Sequence, residues 1–145
     1  MGIGFVARGN NIYDGDYVVA EGKVIENGMF VELTTSEDAK TAAPCGASPA
    51  SVPVFVVNVN ENDEVEAVNT EDVKFEAGKA VRWHRVLPGE MIVTSMFEGE
   101  LAVGAACVPG EGGKLLAGAE GKQNFVVKIV DVQGGVDVVY AEAQN

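Results

Sequence analysis

Histidine and tryptophan occur once each in the chain, as His84 and Trp83, and cysteine only twice, as Cys45 and Cys107. A serine or cysteine nucleophile needs a base within reach, and here Ser95 and Cys107 have only His84 to turn to. No G-x-S-x-G elbow, phosphate-cradling glycine loop or paired histidine ligands occur. The chain is therefore read as no enzyme, with no catalytic residue and no cofactor. Structural zinc needs more Cys or His ligands than two distant cysteines and one histidine provide, so no metal site is expected and both thiols read as free, buried residues. The carboxylates Glu61, Asp63, Glu64 and Glu66 lack the Asp-x-Asp-x-Asp-Gly frame of a calcium loop and read as a solvated turn. Glu98 and Glu100 stand at a spacing too common to argue for glycoside chemistry.

Cations are scarce as well: 10 Lys and Arg stand against 22 Asp and Glu, for a formal net charge of −12. Phosphate binding needs clustered basic residues that release counterions, so nucleic acid is excluded as a partner, and an anionic membrane surface likewise. The deficit is uneven, because residues 1–72 hold 3 basic and 13 acidic side chains whereas residues 73–145 hold 7 and 9. Acidity of this kind keeps an abundant protein soluble or faces a basic protein surface; the sequence leaves both open. The most apolar stretch, Val52–Val57, is too short to span a bilayer. No Asn-x-Ser/Thr sequon and no signal-like apolar core follow the N-terminus, and a cytoplasmic product is expected.

Glycine is what the chain has in excess: 18 residues, where about ten would be ordinary for this length. They punctuate apolar runs of five to eight residues, most clearly from Phe75 to Leu116, and that rhythm belongs to short strands joined by tight turns. The expected fold is one all-β domain over 1–145, a small barrel or a sandwich, with almost no helix beyond a turn near Thr35–Lys40. Glu21-Gly22 reads as a turn, and Asn27-Gly28 as a type I′ hairpin between Lys23–Glu26 and Met29–Thr34. Further strands are expected at Val54–Asn60, Ala80–Leu87, Met91–Phe97, Leu101–Val103, Asn124–Val132 and Val136–Ala143. Pro-Gly turns are expected at Leu87–Glu90 and Val108–Glu111, and a hairpin turn at Gln133-Gly134-Gly135. In the last hairpin Phe125, Val127 and Ile129 should share a core face, and Trp83 should sit in the core or at its rim. Residues 36–53, SEDAKTAAPCGASPASVP, carry three of the five prolines and few large apolar side chains, so a flexible Ala/Pro/Ser-rich loop or arm is expected there.

The turn pattern carries a resemblance. Gly89-Glu90-Met91-Ile92-Val93, then Leu101-Ala102-Val103-Gly104, then Gly112-Gly113-Lys114-Leu115, leading into the closing strands, is similar to the head decoration (capsid cement) proteins of tailed bacteriophages over roughly residues 75–143. The resemblance implies a β-tulip-like domain in a virion structural protein on the capsid exterior, assembled in the host cytoplasm. It implies the major capsid protein as partner, a homotrimer at local threefold points, and stabilisation of the expanded head. It also implies a role for the arm, in which residues 41–53, with Ala42, Ala43, Pro44 and Pro49, or Gly2–Asn11, would lie on capsid protein as an added strand. Met91, Met96 and Phe97, large residues on mixed faces of one short strand, would form the trimer contact. Alternative readings are another phage structural module of tail, baseplate or head fibre, or a non-viral small β-barrel that binds a ligand.

Overall fold

The computed structural model describes residues 4–8, 13–57 and 74–145. Their strands are β1 (Gly4–Arg8), β2 (Tyr13–Val19), β3 (Val24–Glu26), β4 (Phe30–Thr35), β5 (Lys40–Pro44), β6 (Val54–Val56), β7 (Lys74–Glu76), β8 (Ala80–His84), β9 (Met91–Thr94), β10 (Ala106–Gly110), β11 (Lys114–Ala117), β12 (Phe125–Gln133) and β13 (Val136–Ala143). Among the described residues there is no α-helix, only a 3-10 turn at Glu111–Gly113. The all-β reading holds, and five strands close a barrel in the order β2-β5-β4-β6-β8.

β2 and β5 run parallel and every other barrel pair is antiparallel. Six further strands form a sheet in the order β1-β9-β13-β12-β10-β11, and β3 pairs with β7. Strand alternation sorts the apolar residues into two clusters. Val19, Val31, Ala42, Val54, Val56 and Val81 fill the barrel with Ile25, Met29 and Met96. Phe30 and Phe55, their neighbours on β4 and β6, point the other way and join Ile92, Leu115, Phe125, Val127 and Val139 of the sheet. Phe30 packs 5.1 Å from Phe55 and 5.4 Å from Phe125, centroid to centroid, so one ring joins barrel to sheet. β6 is buried on both faces, which is why it reads as an unbroken apolar run.

Several turns differ from expectation for local reasons. Gly28 has φ +88° while Asn27 does not have positive φ, and Met29 N–H donates to Glu26 C=O, the signature of a type II turn. Type II geometry splays its flanking strands, so no hairpin forms: β3 leaves to pair with β7 and β4 enters the barrel. Leu87–Glu90 turns as expected, with Gly89 at φ +85° and Glu90 N–H on Leu87 C=O. Pro109 and Gly110, by contrast, lie within β10, beyond its last pairing with β12 at Cys107, where proline forfeits no ladder bond. Gly112 and Gly113 make that turn instead. Gly134 and Gly135, both with positive φ, close the β12–β13 hairpin. Leu101–Val103 is not a strand, Ser36–Ala39 is a hairpin turn without helix, β8 and β9 end earlier than expected, and β6 ends at Val56, with residues 58–60 of its expected span outside the described residues.

The largest correction concerns residues 36–53. Lys40–Pro44 is a barrel strand, paired on both sides, in place of a loop. Its small side chains fit where a five-strand barrel has little interior room, and Ala42 is fully buried. The connection after it is anchored by polar contacts: Cys45 N–H donates to Phe30 C=O, Ala47 N–H to Glu111 Oε2 at 3.0 Å, and Ala50 N–H to Glu32 Oε1 at 2.7 Å. Composition suggested weak burial and missed the main-chain bonds.

Candidate protein-binding surface

The residues expected to meet partners do not converge. Ala42 and Met96 are buried in the barrel core and present nothing to a partner. Ala43 and Pro44 are half-buried ladder residues opposite Glu32 and Val31. Met91 is half-buried on β9 opposite Glu142, and Phe97 packs against the sheet core and bridges Leu115. Pro49 alone reaches an open feature: with Ala47 and Ser48 it lines a groove of 540 Å³ beside Val108–Gly110 and Leu116–Lys122. Within the expected N-terminal contact, residues 2, 3 and 9–11 lie outside the described residues, as do the carboxylates of residues 61–66.

The larger exposed feature was not foreseen. β12 pairs with β13 along its length, but β10 accompanies it only at Phe125 and Val126, so among the described residues nothing pairs with the other edge of 128–133. A bulge between Val127 and Ile129 inserts one residue and reverses the alternation. Phe125 and Val127 face the core as expected, whereas Ile129 does not and is 45% exposed. Val130 and Val132 take the core side instead, opposite Val139 and Asp137. Val139 is fully buried, but Val130 and Val132 overhang the end of the core, 50% and 58% exposed. The run VVKIVDV is more apolar than one buried face requires, which was the available signal; the bulge and the start of β10 at Ala106 were invisible in it.

Both thiols and the imidazole lie in the interior. Cys45 and Cys107 are free and buried; burial, then the Glu32 carboxylate, pushes the Cys45 thiol up to about 12, and burial raises Cys107 to about 11. Cys45 Sγ donates to Gly110 C=O at 3.1 Å. His84 is buried on β8, and desolvation lowers its pKa below 6.5, with the Glu90 charge pulling partly the other way. Trp83, on the opposite face of β8, is half-buried at the barrel rim, as the sequence suggested. Among the described residues no three His, Cys, Asp or Glu side chains group to hold a metal, and no helix is long and apolar enough to cross a membrane. An arrangement of this kind can bind through surface and edge. Comparison with protein families, curated proteins and solved structures finds no match.

Proposed function

We propose that this chain is a virion structural protein that binds the outer surface of a phage capsid as a homotrimer and stabilises the expanded head. The observation that carries the reading is the overhang: core-facing Val130 and Val132 continue past the core on a strand with an open edge. Apolar side chains on an unpaired edge are an aggregation hazard unless another protein covers them. Of the three segments behind the resemblance to decoration proteins, Gly89–Val93 runs into β9, Leu101–Gly104 precedes β10 and Gly112–Leu115 runs into β11, so all adjoin the six-stranded sheet. The groove beside Pro49, floored by small residues, supports a second contact, since an extended capsid segment could lie close to its backbone.

The test is to mix purified protein with undecorated capsids and image the particles by cryo-electron microscopy. Density on the outer surface at local threefold points, with heads that resist heat or chaotrope better than bare ones, is the expected result. Binding only to tail or baseplate would favour the other phage module, and no binding to any virion part would overturn the reading.

A further inference from the structure

Rings and cations converge at one end of the barrel. Register sets Thr35 of β4 opposite Lys40 of β5, Thr41 opposite Val18 of β2, and Tyr17 opposite Val81 of β8. Tyr17 and Trp83 cap the barrel core there, half-buried, edge to face with centroids 6.0 Å apart and planes at 79°. Lys40 Nζ lies 5.8 Å from the Tyr17 ring centre and the Arg85 guanidinium 5.7 Å from that of Trp83. Tyr17 Oη and Thr35 Oγ1 share a hydrogen bond at 2.9 Å. Lys40, Thr35 and Arg85 are exposed. Among the described residues Arg85 has no carboxylate partner, in a chain where acids outnumber cations 22 to 10. Stacking on an indole holds a guanidinium ready for an incoming carboxylate, which it can meet with a two-pronged bond.

The chain itself carries a matching surface. Asp137 is exposed, directly opposite Val132 on the overhanging face of the β12–β13 hairpin, with Val130 beside them. Two such faces packed on each other about a twofold axis would bring Asp137 near its own copy, where like charges repel. A seat with rings and cations avoids that cost.

We infer that the barrel end formed by Tyr17, Trp83, Lys40 and Arg85 receives the β12–β13 hairpin of a second copy of this chain, Val130 and Val132 against the rings and Asp137 against Arg85. This rests on the reading above that protein covers the overhang, and it names that protein. Donor and acceptor surfaces are different patches, so the contact can repeat head to tail, and the homotrimer proposed above is the case in which the rotation closes into a ring of three.

Sedimentation velocity over a concentration series tests the contact, with far-UV circular dichroism confirming that each variant is folded. Wild type should associate into a closed ring. Arg85→Glu and Asp137→Arg should each raise the association midpoint at least about tenfold, because each sets like charges together. The double variant restores the pair in reversed sense and should return to within about threefold of wild type. A wild type that stays monomeric at every concentration, single variants that associate as wild type does, or a double variant no better than the singles would overturn the contact. Capsid binding of the same samples is read separately. A monomer that still decorates capsids removes the ring contact and leaves the capsid function, whereas a ring that ignores capsids does the reverse.

Discussion

Replacing Phe30 by alanine removes the ring that joins the barrel to the six-stranded sheet. Phe30 is fully buried and touches Phe55 from the barrel and Phe125 from the sheet. Truncating a buried phenylalanine costs roughly 3–5 kcal/mol, and loss of two ring pairs places this site at the upper end, about 5 kcal/mol. A domain of this kind has about 5–15 kcal/mol in total, so Phe30→Ala should remove at least about a third of it. In urea, at a slope of about 2 kcal/mol per molar, the midpoint should fall by about 2 M or more. Trp83 packs against the barrel core, so its fluorescence reports the barrel, and far-UV circular dichroism reports all strands. If Phe30 couples the two layers, both signals move together in wild type and the variant. A fall in midpoint below about 1 M, or a barrel signal that survives while the rest melts, would show that one ring does not bind the layers into one cooperative unit.

Interior geometry sets two further expectations. Gly113 has φ +75°, and a Cβ there would lie 2.7 Å from Phe30 C=O, whereas Gly112 has the same φ with open space around it. Gly112→Ala should cost about 1 kcal/mol from backbone strain alone, and Gly113→Ala clearly more, measured as urea midpoints; equal costs would show that the close approach does not matter. Burial raises both thiol pKa values, to about 12 for Cys45 and about 11 for Cys107, above the unfolded value near 9. The unfolded chain therefore ionises first, and the thiols' contribution to stability is intact below about pH 9 and declines as pH rises toward 11 and 12. Native protein should resist a thiol reagent at about pH 8 and react fully once unfolded; rapid reaction of the native form would contradict the burial.

Legibility followed the range of the interaction. Leu87–Glu90 and Gln133–Gly135 were readable because proline and glycine constrain φ within the turn itself. Asn27-Gly28 was readable as a turn but not as a type, since the choice between I′ and II depends on where β3 and β4 find partners, and β3, at Val24–Glu26, finds β7, at Lys74–Glu76. Lys40–Pro44 was misread because small residues look unable to bury anything, yet inside a narrow barrel alanine is the size that fits. The overhang on β12 was hidden because exposure there depends on where β10 begins, at Ala106.

Residue types and near-neighbour spacing were enough to establish a helix-poor β protein with tight glycine turns. Those properties need no knowledge of which distant residues meet. The folded chain was required to learn which strands close the barrel, which face of each apolar run is buried, and that Val130 and Val132 are left outside. Strand pairing is a contact between distant residues, and one inserted residue in a ladder exchanges the faces of everything beyond it.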